Sequence, residues 1–343
     1  MRSTTHERRP RQLRDLGEFA LIARIERAAR RVPHGGVALG IGDDAALLPA
    51  RRGEAFAIST DARVEGVHFH WRTDPPHVVG ETALAAALSD LAAMGARARG
   101  FTWALAAPGD LALAGFDGLL RGLVSGARRH GCPLVGGNLT RARETSLVLT
   151  VFGAVAPGRA LRRRARLGDR ILVTGELGAA ALARAHAERS GTPLRRIPVP
   201  RLAQGHALTR IAAVTGCIDV SDGLAADLGH LLGPRRRCAI DPGRLPLPRG
   251  FAAGCRRLGL DPTALALAGG DDYELLFAMR PDGPSAAALA QRLGVRVSEL
   301  GRVARGAPRP GPGHDHFART DAQRGEAGRR PMPKARRGSE TCT

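Results

Sequence analysis

Apolar positions over residues 17–31 recur at helical spacing, with Phe19, Ile22, Ile25 and Ala29 on one side, and predict an amphipathic helix. The runs VALGIG (37–42) and EAFAIST (54–60) have the length and composition of short strands. Pro75 and Pro76 stand where a helix begins, ahead of a long Ala/Leu segment ending near Gly95. FTWALAAP (101–108) reads as a strand, GFDGLLRGLVSGARRHG (115–131) as a helix and TSLVLTVFGAVA (145–156) as a buried strand. The second half predicts a strand at DRILVTG (169–175), a helix from Leu177 and a helix near 202–214. It continues with strand CIDV (217–220), a helix from about Ser221 to Leu232 and strand YELLFAMR (273–280). No tandem repeat is evident, and beyond about Ala318 the pattern loses periodicity.

A chain of 343 residues with 43% apolar side chains suggests two domains, each with a real core. The polar, basic stretch 156–168 is the natural boundary. The expected organisation is a disordered arm (1–16), an N-terminal domain (17–155), a C-terminal domain (156–318) and a disordered basic tail (319–343).

Charge changes the picture less than its size suggests. Lys plus Arg number 52 against 32 Asp plus Glu, for a net charge of +20. The termini, 1–14 and 319–343, each carry +4, and the body keeps the remaining +12. Aromatics are only 3%, and no basic stretch carries interleaved rings for stacking on single-stranded nucleic acid. The charge is therefore read as an arginine-rich solvated surface, nucleic acid is not an expected partner, and phosphorylated metabolites would still be attracted. The only lysine is Lys334, in the Pro- and Arg-rich tail, which argues against a Walker A loop, a protein-kinase strand lysine and Schiff-base chemistry. The five cysteines, at 132, 217, 238, 255 and 342, form no C-x-x-C pair, which favours reduced thiols in the cytoplasm. No apolar run reaches membrane-spanning length, and no apolar h-region follows the basic N-terminus.

The chemistry lies in acids at the ends of apolar segments or inside them. Asp90 falls within the Ala/Leu helix, where an unpaired buried carboxylate costs several kcal/mol. Exposure, or a partner such as Arg97 or Arg99, would make it purely structural. Asp43 and Asp44 follow Gly40-Ile41-Gly42, Asp61 ends a strand, Asp219 ends CIDV, and Asp271 and Asp272 follow Gly269-Gly270. Asp222 begins the next helix and could serve as its cap. Two carboxylates about 4 Å apart repel by roughly 4 kcal/mol at an effective dielectric near 20. Convergence of four or five such acids requires divalent cations, and oxygen-only donors point to Mg²⁺ rather than zinc. Such a cluster without a Walker lysine suggests phosphoryl transfer, with metals and backbone amides neutralising the phosphates. Glycines at 40, 42, 136, 137, 223, 269 and 270 would permit close approach of backbone to phosphate.

The ordered strings GEFALIARI, GIGDDAALL, STDARVEGVHF, LSDLAAMGA, VGGN, VTGELG, DVSDGLAADLGH and GGDDYELLF resemble the thiamine-monophosphate kinase family, over about residues 17–318. That family belongs to the aminoimidazole ribonucleotide synthetase-like superfamily. The resemblance implies an α+β, two-domain PurM-like fold, in which an N-terminal mixed sheet forms a homodimer interface and the C-terminal domain is an α/β sandwich. It implies ATP as co-substrate, thiamine monophosphate as acceptor, thiamine diphosphate as product and several Mg²⁺ ions. Carried over position by position, it implies that Asp44, Ser59, Thr60, Asp61, Asp90, Asn138, Asp219 and Asp222 ligate metal. Gly137, Asn138, Arg163 and Ser221 would contact ATP, and His68 and Asp271 the thiamine phosphate. No catalytic base is implied, because the acceptor is already an anionic phosphate. Taken alone, His68 reads as an ordinary loop histidine, and Arg163 sits in a run with Arg162 and Arg164.

The chain departs from the family pattern at several positions. Asn138 stands where the family has an aspartate, Asp271 replaces a glutamate, Gly311 replaces a tryptophan, and Thr82 and Ala87 replace a Lys and an Asn. Alternatives are another ATP-dependent enzyme of the superfamily, or a degenerate nucleotide- or nucleic-acid-binding homologue, for which the missing acid at 138 speaks. A selenophosphate synthetase is unsupported, since this sequence shows no glycine-rich N-terminal segment with a reactive Cys or Lys; the hydrogenase-maturation relative ends in a reactive Cys where this chain has Cys342-Thr343, and the HF and DYELLF strings disfavour a purine-pathway ligase.

Overall fold

Alternation of apolar and polar residues on strands, and long apolar helical faces, produce two sheets whose strand order brings distant segments together. The computed structural model describes residues 12–16, 18–33, 41 and 53–307. Asp43, Asp44, Gly311, most of the expected N-terminal arm, the VALGIG strand apart from Ile41, and the basic tail lie outside the described residues. Residues 12–16 make a short 3-10 turn, and Gln12 bridges to Ala112.

The amphipathic helix α1 spans Glu18–Ala29. The first sheet consists of β1 (Ala55–Val64), β2 (Arg97–Ala107), β3 (Leu134–Arg141) and β4 (Ser146–Val155), in the order β1-β4-β2-β3. It is mixed: β2 runs parallel to β3, while β4 is antiparallel to both β1 and β2. Its inner face, with Phe101, Trp103, Leu105, Leu147 and Leu149, packs on α2 (Pro76–Ala93) and α3 (Leu113–His130).

Helix α2 starts at Pro76, as its sequence predicts, and is buried on nearly all sides. Glycine lets it approach α3 closely: a Cβ on Gly122 would stand 2.0 Å from the His77 carbonyl oxygen, and one on Gly80 would stand 2.2 Å from that of Leu119. This closeness seats α2 deeply enough for its C-terminal end to touch the second sheet.

That sheet comprises β5 (Arg170–Thr174), β6 (Val214–Asp219), β7 (Arg236–Cys238), β8 (Leu275–Met279) and β9 (Val297–Arg305), in the order β6-β8-β5-β9-β7. Helices cover both faces. Leu224, Leu228 and Leu231 of α6 (Leu224–Leu232) and Phe251 and Cys255 of α7 (Phe251–Arg257) cover one side. Leu208 of α5 (Leu202–Leu208), Leu289 and Leu293 of α9 (Ala286–Leu293), and Ala92 and Ala93 of α2 cover the other. Helices α4 (Ala179–Ser190) and α8 (Pro262–Ala268) complete the described elements.

Strands β3, β7 and β9 and helices α7, α8 and α9 have no counterpart in the sequence expectation, and three expected elements end or begin elsewhere. The helix near 202–214 ends at Leu208, because Arg210, Ile211 and Val214 make three-residue turns into β6. Helix α6 begins at Leu224 rather than Ser221, and β8 begins at Leu275 rather than Tyr273. In both latter cases the chain next to the element is diverted into the candidate site.

Candidate active site

Period-two geometry on β1 decides which of its residues face inward. Ser59, Asp61 and Arg63 share the face turned toward α2, while Phe56, Ile58 and Thr60 share the other. On the inner face, Ser59 Oγ donates to Asp90 Oδ2 at 2.5 Å. Asp90 sits where α2 reaches β6, and so near Asp219, which is 4% exposed at the end of that strand. The charge of Asp90 also bears on Asp61.

These acids are held in an electrostatically unfavourable state. Burial raises the Asp90 pKa, with the Ser59 hydroxyl and the Arg163 guanidinium opposing. Burial and then the charge of Asp90 push Asp219 up to about 6. Asp61 is likewise raised, by burial first, with Arg63 and the Ala62 amide opposing and Asp90 and Asp271 adding to the rise. Neither arginine named as a structural partner for Asp90 reaches it: Arg99 pairs with Glu54 at 3.1 Å and Arg97 contacts His206 at 2.9 Å. The Arg163 charge is instead felt by both Asp90 and Asp219.

The segment after β6 is organised by a residue the sequence reading passed over. Asp227, 2% exposed on α6, accepts hydrogen bonds from the Ser221 and Asp222 backbone amides at 3.0 and 3.1 Å. Burial, followed by the charges of Asp219 and Asp222, raises its pKa to about 7. With both amides committed, the Ser221 hydroxyl and the Asp222 carboxylate remain for a ligand. The available signal was the position of Asp227, one turn into a helix whose other residues are apolar except His230.

The glycine-and-acid junction before β8 folds back on this loop. The Asp271 and Tyr273 amides donate to the Ser221 and Val220 carbonyls at 2.9 and 2.8 Å. Both residues take left-handed backbone, φ 63° and 51°. For a residue with a Cβ that conformation costs about 1–2 kcal/mol, and it persists where surrounding contacts over-determine it. Burial alone would raise the Asp271 pKa, but Arg63, the Tyr273 hydroxyl and Arg184 outweigh it and hold the carboxyl below the ordinary range. Arg184, on α4, pairs with Asp74 at 2.7 Å and donates to the His68 carbonyl at 3.5 Å. The His68 ring accepts from the Val64 amide through Nδ1 at 3.1 Å. His68 and Asp271 are thus both neighbours of Arg184.

Three of the expected residues are not brought into this group. The Thr60 hydroxyl is on the opposite face of β1 from Asp61 and bonds Thr150 at 3.0 Å. Gly137 and Asn138 lie on β3, at the other edge of the sheet from β1. The register Ala62–Val148–Ala104–Asn138 separates them by three strand spacings, about 14 Å. A Cβ on Gly137 would stand 2.0 Å from the Trp103 carbonyl oxygen, so sheet packing alone requires glycine there. Among the described residues, no three acidic, histidine or cysteine side chains are grouped closely enough to hold one ion. The donor chemistry nevertheless fits a hard cation, being hydroxyl and carboxylate oxygens with proton affinities raised by burial and mutual repulsion.

The class of protein follows from comparison of this chain with others. Residues 42–155 match the family described as AIR synthase related protein, N-terminal domain. A thiamine-monophosphate kinase from Synechococcus elongatus is 35% identical over 310 residues, spanning 85% of this chain and 90% of its own. The solved thiamine-monophosphate kinase of Stenotrophomonas maltophilia superposes with a TM-score of 0.73 at 36% identity, covering 87% of this chain and 98% of its own. AaThiL, solved in complex with AMPPCP and TMP, has a TM-score of 0.69 at 27% identity, covering 90% and 99%. The chain belongs to the thiamine-monophosphate kinase family.

Proposed function

We propose that this protein transfers the γ-phosphoryl group of ATP to thiamine monophosphate, giving thiamine diphosphate and ADP. Family membership supports the reaction. The observation that carries it to this chain is the placement of Asp90, bonded to Ser59, where its charge bears on both Asp61 and Asp219, with Arg163 as the cation whose field reaches Asp90 and Asp219. An acid group so arranged attracts cations and, through them, polyphosphate.

Ser59, Asp61, Asp90, Asp219 and Asp222 would hold Mg²⁺, together with Asp44. When bound, Mg²⁺ neutralises phosphate charge and aligns donor with acceptor. The chain's own contribution is positional. Arg163 approaches the nucleotide phosphates, Asp227 fixes the loop that presents Ser221 and Asp222, and Asp271 and His68 meet the acceptor beside Arg184. No protein base is needed, since the acceptor oxygen is already anionic.

The active form is a homodimer. Phe56 and Ile58 are 54% and 63% exposed on the outer face of the first sheet, where large apolar side chains call for a cover. The Phe56 ring stacks on Phe152 with centroids 6.3 Å apart, extending the patch. Thr60 and Asn138 share that face at opposite edges, and a second copy packed on it lays the β3 edge of one protomer against the β1 edge of the other. The four described cysteines are free thiols, in keeping with a reducing compartment such as the cytoplasm.

The test is direct. Purified protein is incubated with ATP, Mg²⁺ and thiamine monophosphate, and thiamine diphosphate is read by chromatography. Formation that depends on both ATP and Mg²⁺ is expected, and its absence would overturn the proposal.

A further inference from the structure

We infer that Arg63 is a positioning residue for the phosphate acceptor, holding Asp271 from behind so that one fixed face of its carboxylate meets the substrate. This rests on the reading that Asp271 contacts thiamine monophosphate. Arg63 follows Asp61 by two residues on β1 and shares its inward face. Its side chain is 6% exposed, whereas that of Asp271 is 42% exposed. One end of the pair is sealed in the protein and the other is open.

The bonding pattern fixes which oxygens remain available. Arg63 Nη2 donates to Asp271 Oδ1 at 2.8 Å, and Nη1 lies 3.3 Å from Oδ2. Nη2 also donates to the Tyr273 hydroxyl oxygen. That hydroxyl in turn donates to Asp271 Oδ1 at 2.6 Å. A carboxylate accepts about four hydrogen bonds, so three taken from the protein side leave about one on the exposed side. The planar guanidinium fork prescribes the orientation of the carboxylate as well as its charge. Arg63 thereby links the strand bearing Ser59 and Asp61 to a loop 208 residues away.

A buried ion pair serving only the fold is the competing explanation, and the two differ in what they do to kinetics. Steady-state rates are measured on the full-length protein with ATP, Mg²⁺ and thiamine monophosphate for Arg63→Leu, Arg63→Lys, Tyr273→Phe and Asp271→Asn. Arg63→Leu is expected to raise KM for thiamine monophosphate about tenfold while kcat and KM for ATP stay within about twofold. Arg63→Lys falls between, keeping the charge without the fork, and Tyr273→Phe shifts the same constant by a smaller factor. If Arg63→Leu fails to fold, the latter two variants decide. Unchanged acceptor KM in the Arg63 and Tyr273 variants, alongside a raised value in Asp271→Asn, would overturn the positioning role. So would equal rises in the KM for both substrates. A normal acceptor KM in Asp271→Asn would instead remove the reading of Asp271, and the positioning role with it. No thiamine diphosphate from the unmodified protein would remove the proposed reaction itself.

Discussion

The Ser59 hydroxyl donates a 2.5 Å hydrogen bond to Asp90, tying the middle of β1 to the last turn of α2. One hydroxyl and one carboxylate from segments 31 residues apart thus face a common space. Burial raises the proton affinity of Asp90, and the bond from Ser59 only partly offsets this.

Asp90→Asn should therefore fold normally and lose at least about 100-fold in transfer rate at millimolar Mg²⁺. The amide keeps an acceptor for Ser59 and removes a charge that burial disfavours. Thermal melting and a thiamine diphosphate assay check the two halves. A variant with near wild-type turnover would eliminate the metal-based mechanism.

Asn138→Asp restores a charged donor at the position where the family carries an acid. The Mg²⁺ concentration for half-maximal rate should fall by about threefold or more, since carboxylate count sets affinity for hard cations. A titration showing an unchanged or higher requirement would place residue 138 away from the metal.

Ile58→Asp places a charge beside Phe56 in the exposed apolar patch on β1, at the edge of the first sheet. It should turn the proposed dimer into a monomer in sedimentation, because a buried unpaired carboxylate costs several kcal/mol across an interface. Activity should fall with the dimer if the two copies complete one another's sites. A variant that remains dimeric would move the interface elsewhere.

Three buried acids should each contribute less stability to the metal-free protein as pH rises from about 4 to about 7. Asp219 and Asp272, each near 6, and Asp227, near 7, are all raised by burial first. Each such group binds more protons in the folded than in the unfolded state between its unfolded and folded pKa, so the stability it contributes is greatest below the unfolded pKa and is lost through the folded one. Asp272 caps α4 by accepting from the Gly178 and Ala180 amides at 2.6 and 3.2 Å. Asp272→Asn retains an acceptor and should flatten the slope near pH 6, as measured by denaturant unfolding across pH. A slope unchanged by this substitution would remove Asp272 from the account.

The sequence by itself marked out α1, α2 and α3 and the strands β1, β2 and β4, though not β3. Acids embedded in apolar runs are legible because their cost is local, as with Asp90 in its Ala/Leu helix, and Pro76 marks the start of that helix by the same local logic. The lone lysine and the ordered motifs directed the reading toward oxygen-ligated phosphoryl transfer. Tertiary structure decided what depends on pairing register and close approach. The two-residue period of β1 turned Thr60 away from Asp61 and brought Arg63 in beside it, an arginine no motif marked. The strand order β1-β4-β2-β3 set Asn138 at the far edge, and Asp227 acquired its role only when α6 folded against the loop before it. Such relations join residues with no fixed spacing in the chain. Propensity and pattern act over a few residues, whereas a hydrogen bond between Arg63 and Asp271 exists only once both sheets have formed.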